Sequence, residues 1–299
     1  DQGKLSFDAV EITALDEADQ MADMGFLPQV RKLLDATPAT GQRLLFSATL
    51  DGDVDKLVRR YLDDPVTHST APAAAAVDSM EHYQLLVGDR EARNAIVPLI
   101  AARDGKTVMF MRTKHGVDRQ VKKLRRVGIN AQGLHGDKGQ GARTRAIEGF
   151  ADGSLPVLVA TDIAARGIDI TDVSLVVHID PPAEHKAYLH RAGRTARAGT
   201  SGTVVTLVMD EQRKDVDQLL RKAGVEAKKI KVTADSVELA KITGAREPNG
   251  EPLPPPGQTT APSTSRHRRG RQQRNAHTQK NRNGNGGRRR KRSSRRNEP

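Results

Sequence analysis

Six short apolar runs recur between residues 81 and 245: Tyr83–Val87, Thr107–Met111, Ala131–Leu134, Pro156–Ala160, Leu175–Ile179 and Thr203–Val208. The stretches between them are long enough for helices, and several are amphipathic, Thr113–Val127 and Gln140–Phe150 among them. Gly128 stands just past the first of these, where a left-handed residue closes a helix. Strands that alternate with helices of this length pair in parallel and carry helices on both faces of the sheet. The expected fold class is therefore α/β, a doubly wound parallel sheet.

Residues 1–68 repeat the alternation on a smaller scale. Val10–Leu15 reads as a short buried strand that runs into acids, and Pro28 opens a helix with Val30, Leu33 and Leu34 on one face. Leu44–Phe46 forms another strand, and Asp53 caps a helix through Leu57, Val58 and Tyr61 that Pro65 ends. Residues 69–80, rich in Ala with one Pro, break the pattern and read as an interdomain linker. Residues 81–245 form the second domain. Beyond it, Pro, Gly, Asn, Ser and Arg take over, and such a composition buries too little surface to offset its ordering entropy. Residues 246–299 are expected to form a disordered, Arg-rich tail.

The chain of 299 residues carries a net charge of +12, but the excess sits in one place. Residues 266–299 hold fourteen Lys and Arg against the single Glu298, whereas residues 1–265 hold 35 basic and 36 acidic residues. A nearly neutral body thus ends in a polycation, the composition that binds RNA by displacing counterions with little sequence preference. A nuclear-localisation patch or a solubility tail would share that composition. Cys is absent, which removes disulfides, thiolate zinc sites and a cysteine nucleophile, and suits a reducing, cytoplasmic setting. No apolar run approaches the roughly 20 residues that a membrane-spanning helix needs. Aromatic residues make up only 3% and Trp is absent, so any base stacking falls to few rings or to Arg.

Chemistry-bearing residues gather just after the strand-like runs, where ligands bind in parallel sheets. The run ending at Leu15 passes into Asp16-Glu17-Ala18-Asp19. An aspartate there can hold Mg²⁺ against nucleotide phosphates and the next acid can orient or deprotonate water, although an acidic helix cap would look alike. Ser47-Ala48-Thr49 follows the next run and would, by itself, be a polar turn. Thr161-Asp162-Ile163-Ala164-Ala165-Arg166-Gly167-Ile168-Asp169 offers more charged and hydroxyl groups than a neutral loop needs. The segment from His190 to Arg197 spaces Arg191, Arg194 and Arg197 three residues apart. An arginine finger brings such chemistry to a transferring phosphoryl group, and a solvated basic face is the alternative. Leu134-His135-Gly136-Asp137 with Gln140 and Arg143, and Met111-Arg112-Thr113, add polar donors at two more strand ends.

Taken in order, Asp16–Asp19, Ser47–Thr49, Gln140 with Arg143, Thr161–Asp169 and His190–Arg194 resemble the motifs of the DEAD-box RNA helicases. The resemblance covers residues 8–235, and Met24-Gly25-Phe26 after the acids agrees with it. It implies two RecA-like domains, ATP and Mg²⁺ as cofactors, and RNA as the partner, with ribosomal or decay-complex proteins as further partners. It also implies residue roles. Asp16 would hold Mg²⁺ through water, Glu17 would position the attacking water, and Asp19 would couple to Ser47, Thr49 and the arginine motif. Asp169 would contact the nucleotide ribose, while Arg191 and Arg194 would reach the γ-phosphate. Thr113, Gly136, Arg143, Thr161 and Arg166 would face RNA, through backbone contacts that need no sequence readout.

Two departures qualify the resemblance. The family opens its first domain with an adenine-reading Gln segment and a Gly-rich phosphate loop, and neither occurs in these residues. Gly105-Lys106-Thr107 precedes a strand and has Ile100 where the loop requires Gly. The expectation is an incomplete first domain, a chain truncated at its N-terminal side, and negligible ATP hydrolysis by this chain alone. Ala192 and Ala196 also stand where the family often has a larger residue and Gly. A non-catalytic RNA-binding protein of helicase fold is the rival reading, and a DNA translocase of the same superfamily is a third.

Overall fold

The structure, a computed structural model, describes residues 5–50, 52–69, 80–165, 168, 173–196 and 202–256. Most of the expected linker, the polycationic segment, and the site candidates Arg166 and Asp169 lie outside the described residues. In the first segment, β1 (Ile12–Leu15) pairs in parallel with β2 (Gln42–Leu45), Ile12 opposite Gln42 and Leu15 opposite Leu45. Helices α1 (Ala18–Asp23), α2 (Leu27–Asp35) and α3 (Gly52–Tyr61) surround the pair. Pro28 stands in the first turn of α2, where its missing N–H costs nothing. Asp53, expected as a cap, lies inside the first turn of α3 and pairs with Lys56 at 2.7 Å instead.

The small sheet has two unlike faces. Leu15 and Leu45 pack toward Leu27, Leu57 and Tyr61, whereas Ile12, Leu44 and Phe46 stay exposed. The strand expected to be buried over Val10–Leu15 therefore begins at Ile12 and contains no fully buried residue.

The second segment is built on seven parallel strands: β3 (Met80–Gly88), β4 (Thr107–Phe110), β5 (Ala131–Leu134), β6 (Val157–Ala160), β7 (Leu175–His178), β8 (Gly202–Met209) and β9 (Lys228–Lys231). Their order across the sheet is β5-β6-β4-β7-β8-β3-β9. Because side chains alternate along a strand, the apolar runs feed two cores. Met109, Val159, Val177 and Leu207 face one side with α4 (Arg90–Ala101), α5 (Lys114–Arg126) and α10 (Val237–Thr243). Phe110, Leu158, Val176 and Val204 face the other with α6 (Gln140–Ala151), α7 (Asp162–Ala165), α8 (His185–Ala192) and α9 (Arg213–Ala223). The expected doubly wound parallel sheet is present. Thr113 caps α5 by accepting a hydrogen bond from the Gly116 N–H at 3.0 Å, and Gly128 ends that helix at φ +87°.

Residues 246–256, expected to begin the disordered tail, instead lie along the helix ends opposite the strand-end loops. The Arg246 N–H bonds Leu99 O at 3.1 Å, the Gly250 N–H bonds Val127 O at 3.1 Å and the Leu253 N–H bonds Arg125 O at 2.8 Å. These are the carbonyls that a helix leaves unsatisfied at its C-terminus, so the strap closes α4 and α5 where composition alone suggested disorder. Asn249 sits so close to Gly128 that any Cβ there would meet its Oδ1 at 1.6 Å. Among the described residues, no helix is long and apolar enough to cross a membrane.

Candidate functional site

The acidic word begins at the carboxyl end of β1. Glu17 takes a left-handed backbone (φ 50°, ψ 46°) as it opens α1, a conformation that costs a non-Gly residue about 1–2 kcal/mol. Its N–H is held by Asp16 Oδ1 at 2.8 Å. The turn sends Asp16 into solvent and Asp19 inward, where Asp19 is buried. Ser47–Thr49 then locks onto Asp19 from the end of β2. Ser47 Oγ accepts the Asp19 N–H at 3.1 Å and donates to Thr49 O at 2.6 Å, while Thr49 Oγ1 donates to Asp19 Oδ2 at 3.4 Å. A polar turn on its own would not be braced to a buried carboxylate 28 residues away.

A cleft of about 260 Å³ opens beside these groups. Asp16, Glu17, Asp19, Ser47 and Ala48 line one wall, and His190, Gly193 and Arg194 line the other. Its volume falls below the ~300–1,000 Å³ of a typical small-molecule site, which suits a phosphate group better than a whole nucleotide. Asp16 is exposed, with one oxygen on its neighbour's N–H. A single wet carboxylate fits Mg²⁺, which keeps most of its waters.

Arg191 and Arg194 do different things. Arg194 lines the cleft and bonds Ile168 O at 2.9 Å. Arg191 is not in the cleft wall. It is buried, it forks onto Asp162 (Nε to Oδ1 2.5 Å, Nη2 to Oδ2 2.9 Å), and its Nη1 donates to Asp180 O at 2.8 Å. Its guanidinium lies 5.1 Å from the Phe110 ring centroid. The pairing of Arg191 with Asp162, and the place of His190 in the cleft, were not foreseen. Only the charge of Asp162 and the position of His190 inside a quoted motif could have signalled them.

Below Arg191, α8 is anchored by a buried polar cluster. Tyr188 OH and His82 Nδ1 are 2.8 Å apart, and His178 Nδ1 and Thr206 Oγ1 are 3.0 Å apart. The His178 and Tyr188 rings meet edge to face at 4.9 Å. Burial, with the nearby Arg191 charge adding to it, holds His178 well below the usual imidazole value, so it stays neutral.

The residues expected to face RNA lie on another stretch of the same carboxyl edge. Thr113 follows β4, Gly136 follows β5 and Thr161 follows β6, three neighbouring strands. Arg143 stands in the first turn and a half of α6, with Nη2 3.5 Å from Ala164 O. Thr113 and Gly136 are exposed. Ion pairs stiffen this edge: Lys114 meets Asp137 at 2.7 Å, and Lys138 meets Asp118 at 2.8 Å. Burial raises the Asp118 carboxyl, but the hydrogen bond from Lys138 and the contact with His135 outweigh it and leave Asp118 below the usual range.

Comparison with known proteins points to one family for both segments. A profile described as DEAD/DEAH box helicase matches residues 1–57, and one described as Helicase conserved C-terminal domain matches residues 91–199. The chain belongs to the DEAD-box helicases. It is 42% identical over 203 residues to the ATP-dependent RNA helicase SrmB of Escherichia coli, covering 67% of this chain and 46% of that protein. It is 37% identical over 226 residues to the ATP-dependent RNA helicase RhlB of Pseudomonas syringae, covering 75% of this chain and 57% of that protein. In structure it resembles Dbp5 of S. cerevisiae bound to RNA and ADP BeF3, with a TM-score of 0.72 at 28% identity over 80% of this chain and 64% of that one. The chain thus spans about half the length of the curated relatives it matches.

Proposed function

We propose that this chain supplies the hydrolytic acids, the arginine wall and an RNA-holding edge of an ATP-dependent RNA helicase, acting on RNA without sequence preference. The observation that carries the reading is the cleft in which Asp16, Glu17 and Asp19 face His190 and Arg194. Relatives named as ATP-dependent RNA helicases, and a neighbour bound to RNA and ADP BeF3, support it.

On this reading, Asp16 holds hydrated Mg²⁺, which would offset phosphate charge. Glu17 accepts a hydrogen bond from the attacking water and draws off its proton. Asp19 acts through its bonds to Ser47 and Thr49, keeping the acidic turn in register with β2. Arg194 supplies positive charge from the opposite wall, so hydrolysis requires both walls to be together. Asp169 is proposed to meet the ribose, and Thr113, Gly136, Arg143, Thr161 and Arg166 to meet RNA. Arg191 is better read as holding α8 than as meeting phosphate, because its fork is already filled by Asp162. The polycationic segment 266–299 would add affinity for RNA.

The sequence contains no Gly-rich run of the P-loop pattern, so turnover by this chain alone should be slow. The test measures RNA-stimulated phosphate release and fluorescent-ATP binding for the wild type, Glu17→Gln and Arg194→Ala. Glu17→Gln should abolish residual turnover while keeping nucleotide binding, and Arg194→Ala should weaken both. Turnover indifferent to both substitutions would sink the reading. RNA binding that never responds to Mg·ATP would favour the rival, a non-catalytic RNA-binding protein.

A further inference from the structure

Helix α5 has six Lys or Arg and one acid in thirteen residues. Three of these charges are occupied locally. Asp118 meets Lys138 and His135, Lys114 meets Asp137, and Arg125 binds Pro254 O, Asn130 and Ala131 O. Arg119, Lys122, Lys123 and Arg126 remain. All four are exposed, and none has an ion-pair or hydrogen-bond partner among the described residues.

Their spacing of three and four places them on one stripe. The helix dipole explains cations in the last turn, Lys123 and Arg126 included. It does not explain Arg119 and Lys122 further up. Like charges this close repel one another unless a polyanion lies over them.

The two ends of the stripe give it meaning. Its upper end is Arg119, less than two turns below Thr113, the cap of α5 on the RNA-facing edge. Its lower end is the strap, where the Leu253 N–H bonds Arg125 O and the Arg125 Nε bonds Pro254 O. Twelve residues past Pro254 in the sequence begins the segment that carries fourteen more Lys and Arg. The helix runs about 20 Å from Thr113 to Arg126. The four cations, from Arg119 to Arg126, occupy the lower half of that length, between the strand-end loops and the strap. The nearest acid in the strap, Glu251, forms no ion pair among the described residues and cannot neutralise four cations.

We propose that Arg119, Lys122, Lys123 and Arg126 of α5 form a rail for the phosphate backbone of RNA leaving the strand-end loops. The proposal rests on the RNA-facing edge described above, and it adds a contact surface outside that edge. The partner is an RNA backbone because the rail offers charge without aromatic rings or a pocket, and so reads phosphates and no bases.

The test uses the full chain, two single-stranded RNAs and a salt titration. One RNA is short enough to span only the strand-end loops, and the other is several times longer. The variant R119Q/K122Q/K123Q/R126Q alters only exposed side chains, and its unfolding midpoint should match the wild type. For the long RNA the slope of log affinity against log salt should shrink by about 0.7 per lost phosphate contact, nearly 3 for all four. For the short RNA it should not change. The charge-keeping pair R119K/R126K should restore the wild-type slope. Thr113→Ala with Arg143→Ala should weaken the short RNA, and if it does not, the edge reading fails while the long-RNA slope still decides the rail. An unchanged long-RNA slope in the quadruple variant would overturn the rail. So would an equal loss on both lengths, or a loss confined to anionic lipid vesicles.

Discussion

Asp162→Ala should unfold the second segment more readily than any other change near the cleft. Arg191 is only 2% exposed and Asp162 28%, so the substitution leaves a guanidinium in the core with one carbonyl and one ring for company. Losing one partner of a buried pair costs ~3–5 kcal/mol. Asp162 is partly wet, so water can reach the vacated space, and the lower end, about 3 kcal/mol, applies. For a segment of this size that corresponds to a fall of about 6–12 °C in the melting midpoint. Thermal and urea unfolding of the full chain, followed by far-UV circular dichroism, would measure it. The decisive comparison is Asp162→Leu combined with Arg191→Met, which removes both charges at once and should return stability to within about 1 kcal/mol of the wild type. A single-variant loss below about 1 kcal/mol, with no recovery in the pair, would refute the reasoning. Arg191 would then be available to the cleft.

Three further outcomes are expected. His178 is held below its ordinary value, so the unfolded chain takes up a proton first as pH falls. Stability should therefore be complete above pH 6.5 and drop by about 1.4 kcal/mol per pH unit below it. Urea titrations from pH 7 to pH 5 should show a shallower fall in His178→Leu, and equal slopes would remove this residue from the explanation. Ala196 sits at φ 55°, so Ala196→Gly relieves a left-handed strain of about 1 kcal/mol. Its melting midpoint should hold or rise, and a clear drop would mean that the turn is not strained. Gly202→Ala would place a Cβ 2.3 Å from Thr195 Oγ1 and 2.8 Å from Ala196 N. That displaces Thr195 and Ala196 and should cost about 1–3 kcal/mol, so unaltered unfolding and unaltered nucleotide binding would both contradict it.

Much of the architecture was legible because the buried strands are almost wholly apolar. Val157–Ala160 and Leu175–His178 are covered on both faces, and such runs announce themselves in sequence. The strand β1 was foreseen too, but its half exposure was not, since exposure of Ile12 depends on what packs above it. The strap was invisible for a related reason. Its value lies in backbone bonds to Leu99, Arg125 and Val127, and Pro- and Gly-rich composition carries no trace of helix ends that need closing. In the cleft, Asp16, Glu17, Asp19, Ser47 and Arg194 were foreseen, and the structure brings them together. The separate fate of Arg191 was not foreseen, because three arginines at equal spacing look alike until one of them finds an aspartate. The alanine at position 196 looked like a neutral departure, and only its backbone angle shows why glycine would suit the turn.

The seventh strand has a consequence of its own. Lys228-Lys229-Ile230-Lys231 looks nothing like a strand, yet it forms the outer border of the sheet beside β3. Lys228 is tied to Glu81 at 3.0 Å and Lys229 to Asp217 at 2.7 Å, so the ammonium groups stay at the rim. An open sheet border invites another molecule to add a strand, and a row of fixed ammonium groups discourages that docking. Exchanging the three lysines for valines would make a more persuasive strand on paper and a stickier protein in the tube.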